Sequence, residues 1–242
     1  MRINKYLAEA GVASRREADR MIEAGKVTIN GRKPGPGDQV EEGDEVKVDG
    51  RVARPVVRKT VIAFHKPVGV ITTMDAAFPD NIMEALSSAP VPPPKARLIP
   101  VGRLDVSSSG LILFTDDTAL ADRLMRPDSG TEKEYDVIVN DELTPEFLAH
   151  MAKGVRLENM PAPQRIVMTR PAKVKEVGAT RFLIIITEGK NRQIRRMCEA
   201  LGYEVRKLRR TRVAGVELAD LPEGEWRALT KEELASLSSR GL

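Results

Sequence analysis

Arg103, Leu104 and Asp105 stand just before Ser107-Ser108-Ser109-Gly110, and these residues run into the unbroken apolar stretch Leu111-Ile112-Leu113-Phe114. A run of that length is short enough for a buried strand. An arginine and an aspartate held against a core strand must either pair with a partner or serve a cleft. A carboxylate so placed is a nucleophile, a general base, a metal ligand or half of an ion pair. Two features favour the cleft: the short apolar run Leu98–Val101 ahead of the turn, and the serines and Gly110 behind it, small enough for a ligand to approach closely. With no histidine or cysteine nearby in sequence, Asp105 would act as a lone carboxylate.

Two further segments have chemical content. In EGKNRQIRRMCEALG, residues 188–202, Ile194, Met197, Cys198 and Leu201 recur at the spacing of one helix face, with Asn191 in position to cap the start. Cys198 on that face is a packed thiol rather than a nucleophile. Arg195 neighbours the stripe, so it either snorkels to solvent or meets an anion at the core edge. Arg192 and Arg196 are placed to face solvent or phosphate. In TEKEYDVIV, Tyr135 opens a strand and is either a half-buried core aromatic or the single aromatic of a cleft. Nine aromatics in 242 residues do not describe a chain that stacks many bases.

The elements that must position these residues are bounded by composition. The chain is 41% hydrophobic and 31% charged, which is globular rather than disordered. No apolar run approaches a membrane helix, and MRINKYLAEAG lacks the apolar core of a signal peptide, so the cytoplasm is the expected location. One cysteine and two histidines, His65 and His150, cannot build a typical zinc site. The net charge is only +4, but residues 190–212 hold nine Lys/Arg against two Glu, and residues 2–33 hold eight against four acids. Two basic patches in separate domains fit a polyanion.

The chain divides near residue 58. Ahead of it, Ile3, Tyr6, Leu7 and Ala10 recur at helical spacing up to Gly11, Ser14-Arg15-Arg16-Glu17 forms a capping box, and Gly25 closes the second helix. Val27 and Ile29, then Val46 and Val48, alternate as strands beside Asn30-Gly31 and Asp49-Gly50 turns. Arg2, Lys5, Arg15, Arg16 and Arg20 are the candidate phosphate contacts there. The link RVARPVVRKT leads to a second domain. Its expected strands are Val61–Phe64, Val68–Thr72, Leu111–Phe114, Tyr135–Val139 and Phe182–Thr187. Its expected helices are Ile82–Leu86, Thr118–Met125 (capped by Asp116 and Asp117), Pro145–Lys153 and Arg192–Leu201. Residues 89–95, APVPPPK, suit a loop. This order suggests an α+β fold with a mixed, largely antiparallel sheet.

LAEAGVASRREADRMIEAGKVTINGRKPGPGDQVEEGDEVKVDG resembles the small alpha-L RNA-binding module of a ribosomal small-subunit protein. VGRLDVSSSGL, EKEYDVIV and EGKNRQIRRM resemble the three motifs of pseudouridine synthases of the ribosomal small-subunit type. HKPVGVITT, EVRKLRRTRVAGVEL and LPEGEWRALTKEEL also fit that pattern, so the resemblance covers nearly the whole chain. Within the family the chain is most similar to the branch that modifies large-subunit ribosomal RNA near the peptidyl transferase centre. Ser107 and Ser108 depart from the usual charged residue and threonine but keep a hydroxyl. The resemblance implies residues 1–58 as RNA-binding module with linker and 59–242 as catalytic domain. It implies an isomerase, without cofactor or metal, that detaches uracil from ribose and rejoins it through carbon. Asp105 carries over as the catalytic carboxylate and Arg195 as its ion-pair partner, with two parallel hydrogen bonds expected between fork and carboxylate. Tyr135 carries over as the residue packing on the base, Arg103 as the side chain filling the space of a flipped nucleotide, and Leu208 as an active-site wall. The implied partner is ribosomal RNA, with transfer RNA as a second candidate, and the expected state is a monomer.

Overall fold

A computed structural model describes residues 1–41, 43–54, 59–158, 160 and 165–238. The chain forms two compact units, one built mainly on residues 1–60 and the other on most of the remainder.

The first unit begins with α1 (Ile3–Glu9) and α2 (Arg15–Glu23). The expected capping box opens α2: the Glu17 amide donates to Ser14 Oγ at 3.3 Å, and the Ser14 amide donates to the Glu17 carboxylate at 3.4 Å. Strands β1 (Val27–Ile29), β2 (Val46–Val48) and β3 (Arg51–Ala53) form an antiparallel sheet. Asn30 and Gly31 both take positive φ, as their turn requires. Ile3, Leu7, Ala18, Ile22, Val27 and Val46 make a small closed core. The first residues of the supposed link are therefore a strand; residues 55–58 lie outside the described residues.

The second unit starts with β4 (Val61–Lys66), α3 (Ile82–Ser87), β5 (Ile99–Val101), β6 (Ser109–Thr115) and α4 (Thr118–Met125). It continues with β7 (Lys133–Val139), α5 (Pro145–Lys153), β8 (Arg156–Leu157), β9 (Val167–Met168), β10 (Lys173–Gly178) and β11 (Arg181–Ile186). It ends with α6 (Gln193–Ala200), β12 (Val205–Val213), β13 (Val216–Glu217), β14 (Trp226–Ala228) and α7 (Lys231–Ser238). The main sheet runs β10-β11-β7-β12-β6-β4-β14, with β5 beside β6 and β13 beside β12. The pairs β10–β11, β11–β7, β7–β12, β12–β13 and β4–β14 are antiparallel, whereas β12 and β6 run parallel over Arg209–Ser109 and Arg210–Gly110.

Each element follows from its residues. Strand β6 is buried along its whole length, which is why its sequence is unbroken and apolar. Thr144 Oγ1 caps α5 by accepting from the Phe147 amide at 3.1 Å, with Pro145 at the first helical position. For α4 only Asp117 caps, accepting from the Ala119 amide; Asp116 instead accepts from the Thr60 amide. The expected strand Val68–Thr72 does not form. Gly69 turns with φ +94°, leaving one bridge between Ile71 and Asn81. Strand β12 escapes a reading by composition, because VRKLRRTRV looks like a solvated basic segment while Val205, Leu208, Arg210 and Val213 are buried.

Gly110 corrects a further expectation. It sits at φ +115°, and a Cβ there would overlap the Arg210 carbonyl. The glycine lets two backbones meet; it does not open space for a ligand.

Candidate active site

The turn after β5 is held on every side. Gly102 takes φ +80°, and the Ser108 amide closes onto the Asp105 carbonyl at 3.0 Å. Thr72 Oγ1 donates to the Leu104 carbonyl at 2.8 Å, and the Gly69 amide donates to the Val106 carbonyl at 2.8 Å. From below, Lys66, fully buried at the end of β4, donates to the Ser108 and Pro67 carbonyls at 2.8 and 2.7 Å. Burial pulls the Lys66 ammonium down to about 8, against the opposing charges of Asp105 and Glu223. A turn tied to the Gly69–Thr72 segment and to the end of β4 keeps its carboxylate in place, and that is what a catalytic group requires.

Asp105 projects into a cavity of about 1360 Å³ whose wall carries seven Lys/Arg side chains and only two carboxylates, Asp105 and Glu188. Its side chain is 31% exposed. Glu188 is engaged within the protein: it accepts from Gln193 Nε2 and the Arg170 amide and pairs with Lys190 at 2.8 Å. That leaves Asp105 as the carboxylate offered to a ligand.

The expected fork between Arg195 and Asp105 is not made. Arg195 donates through Nη1 to the Val205 carbonyl at 3.1 Å and through Nη2 to the Ser107 carbonyl at 2.8 Å and Ser108 Oγ at 3.3 Å. Only Nε faces the carboxylate, 4.0 Å from Asp105 Oδ2, and it has no hydrogen-bond partner. Burial, with the neighbouring charge of Arg192, lowers the guanidinium's affinity for its proton. Arg192, assigned to phosphate, stands equally near, with Nη1 3.9 Å from the same oxygen. Asp105 thus lies between two guanidinium groups at ion-pair distance, with its oxygens unclaimed by either fork. The cause is local: Arg192, not Asn191, is the N-cap of α6 and takes a left-handed φ of +50°, which turns its side chain back over the site.

Strand alternation supplies the rest of the wall. Tyr135 on β7 lies directly opposite Arg210 on β12 and Ile184 on β11. Leu208 shares a face of β12 with Arg210, and Lys133 shares one of β7 with Tyr135. Tyr135, Leu208, Leu104 and Ile194 line a side pocket of about 90 Å³ together with Asp105. Tyr135 is 8% exposed and Leu208 6%, so both present a flat apolar edge to it. On the opposite face of the sheet Asp136 takes Arg181 through both oxygens at 2.8 Å and Arg209 at 3.0 Å. Part of the basic segment 190–212 is thereby neutralised, as is Arg212 against Glu132 and Glu134.

Arg103 is exposed at the rim of the cavity. Arg196 lies apart from it, half-buried near Arg156 and Glu199. Cys198 is fully buried and its thiol is pushed up to about 12. In the first unit Arg2, Arg15, Arg16 and Arg20 are exposed, while Lys5 pairs with Glu9 at 3.7 Å. Residues not singled out in the sequence complete the site: Lys66, Thr72, Lys133, Glu188 and Arg210. Of these only Lys66, beside Pro67, carried a visible signal, since a lysine ending an apolar strand is seldom buried without a task.

Comparison with known proteins supplies the family. Residues 60–200 match the family described as RNA pseudouridylate synthase, and residues 1–46 match the S4 domain. The chain belongs to the RNA pseudouridine synthase family, with an S4 domain at its N-terminal end. It is 44% identical over 238 residues to the dual-specificity RNA pseudouridine synthase RluF of Salmonella typhi, covering 98% of this chain and 78% of that one. It is 37% identical to the ribosomal large subunit pseudouridine synthase B of Vibrio cholerae, covering 96% and 73%. A crystal structure of a pseudouridylate synthase superposes with a TM-score of 0.68 at 30% identity, over 98% of this chain and 99% of the other. Among the described residues no helix is long and apolar enough to cross a membrane.

Proposed function

We propose that this chain isomerises uridine in large-subunit ribosomal RNA near the peptidyl transferase centre, with Asp105 as the catalytic carboxylate. The observation that carries this reading is the anchored Asp105, at ion-pair distance from two arginines in a strongly cationic cleft. The names of its relatives, one of them a large-subunit enzyme, point to the same RNA.

A stacked uridine hides its glycosidic bond, so the base swings out into the cleft, at a cost of roughly a few kcal/mol. Arg103, at the rim, fills the vacated space. Tyr135 and Leu208 pack on the uracil in the side pocket. Asp105 acts on the ribose or the base as the bond between N1 and C1′ breaks. The uracil turns, C5 bonds to C1′, and the proton on C5 leaves while N1 takes one up, with Tyr135 assisting the movement, so that substrate and product are isomers. Arg195 and Arg192 flank the Asp105 carboxylate at ion-pair distance. Residues 1–58 form the RNA-binding module, which contributes affinity through Arg2, Lys5, Arg15, Arg16 and Arg20, and residues 59–242 form the catalytic domain, with Arg196 as a further phosphate contact. The protein acts as a cytoplasmic monomer. Transfer RNA is its second substrate, in keeping with the dual specificity that the name of one relative prints.

Isotope-labelled uridine in RNA, followed by nucleoside analysis, tests the reaction. Pseudouridine is the expected product. Free uracil would mean an N-glycosidase, and unchanged uridine a non-catalytic binder. Comparing ribosomal RNA made with and without the protein locates the modified position.

A further inference from the structure

The cations around the cleft are not equivalent. Arg126 pairs with Asp128 at 2.7 Å, Lys190 pairs with Glu188, and Arg192 and Arg195 flank Asp105. Arg103, Arg170, Lys133 and Arg210 have no carboxylate within ion-pair distance among the described residues; Arg103 and Arg170 are exposed to solvent, whereas Lys133 is half-buried and Arg210 buried. Arg210 is 3% exposed, donates through Nε to the Leu111 carbonyl at 2.6 Å, and leaves a buried Nη2 with no partner. Lys133 donates only to the Thr131 carbonyl at 3.1 Å. Both line the same cavity as Asp105.

Their neighbours do not supply the missing charge. Glu132 and Glu134, flanking Lys133 in sequence, alternate to the other face of the strand and are held by Lys173 and Arg212. Burial and the charge of Arg210 bring the Lys133 ammonium down to about 8, and the same arginine also opposes the charge on Lys66. Two cations crowded together in a partly desolvated wall, one with an idle donor, are a costly arrangement unless an anion completes it.

We propose that Lys133 and Arg210 form a phosphate subsite that takes a backbone phosphodiester flanking the uridine held at Asp105. The placement fits a nucleotide. Lys133 is two residues from Tyr135 along β7, about 7 Å on an extended strand, the scale that separates a base from the phosphates of its own nucleotide. The Arg210 guanidinium, with its Nη2 unpartnered, and the Lys133 ammonium put two positive charges on one wall, which a single phosphate would neutralise. The subsite rests on the reading of the cleft as a uridine site, and it turns a general cationic field into a fixed register.

The test uses the full chain. Uridine and uridine 5′-monophosphate are titrated into wild type, Lys133→Met and Lys133→Arg, each checked for an unchanged melting transition. Wild type should prefer the nucleotide at least about tenfold at low salt. Lys133→Met should lose that preference and keep its affinity for uridine, and Lys133→Arg should recover most of it. Equal preference in wild type and Lys133→Met, or no preference in wild type, overturns the subsite. Arg210→Met risks the fold because of its bond to Leu111, so the lysine carries the test. Labelled ribosomal RNA run alongside separates the two readings. Conversion to pseudouridine without a lysine-dependent preference sinks the subsite alone. A lysine-dependent preference without conversion sustains the subsite and sinks the catalytic reading.

Discussion

Asp105 owes its standing to what surrounds it. A surface aspartate is free to rotate and to pair, whereas this one rises from a turn fixed by Thr72, Gly69, Lys66 and Arg195. Asp105→Asn is nearly isosteric and disturbs none of those bonds, which use backbone atoms of the turn and the Ser108 hydroxyl. It should therefore keep the melting temperature and RNA affinity while lowering turnover by about three orders of magnitude or more. Single-turnover pseudouridine formation checks this, and appreciable conversion by the variant would remove Asp105 from the mechanism. Lys66 makes a prediction of another kind. Its folded proton affinity, near pH 8, lies below the ordinary 10.5, so between those values the unfolded chain holds a proton that the folded one has released. Stability from this group rises with pH across that window, and below it the burial cost is present in full. The unfolding free energy of wild type relative to Lys66→Met should climb by up to about 3 kcal/mol from pH 8 to 10.5. Urea titrations across the window would show a flat difference if the ammonium is not held as described.

Among the elements, the seam between β12 and β6 decides most. Gly110 is where it closes, and Gly110→Ala would place a methyl into the Arg210 backbone at a φ that L-residues avoid. A loss of about 3 kcal/mol or more, or failure to fold, is expected, and thermal melting would show it. The same strand marks how far the sequence could be read. Helices α4 and α5 were legible because their caps and apolar spacing are local. So was β6, whose apolar run speaks for itself. Strand β12, at the centre of the sheet, was not. Its arginines are sorted by partners on β6 and β7 that lie about seventy to a hundred residues away, and no local pattern records that sorting. The site divides likewise. Asp105 and its small-residue turn stood out in the sequence, and so did Tyr135 by the rarity of aromatics. The bonding of Arg195 did not, because periodicity brings an arginine to a core edge without saying which oxygens it meets there. The left-handed cap that brings Arg192 beside Asp105 was equally invisible.

At the scale of the whole chain, charge is distributed by unit. The first unit keeps Arg15, Arg16 and Arg20 exposed on a capped helix, and replacing all three by glutamine should leave its fold intact. RNA affinity should fall, and the slope of log affinity against log salt should flatten by about 2 to 3, because a protein that neutralises fewer phosphates displaces fewer counterions on binding. An unchanged slope in filter-binding titrations would show that this face does not touch RNA.

The parallel pairing of Gly110 with Arg210 also fixes an order of events as the chain is made. Lys66, Asp105, Tyr135 and Arg195 are brought together only when β12 inserts between β6 and β7. Until residue 213 is available that position is empty, and closing so long a loop is slow compared with folding the local contacts of the first unit. A nascent chain therefore acquires the fold of its first unit well before it owns a cleft. Its chemistry waits for one arginine-rich strand to lock two halves of a sheet together.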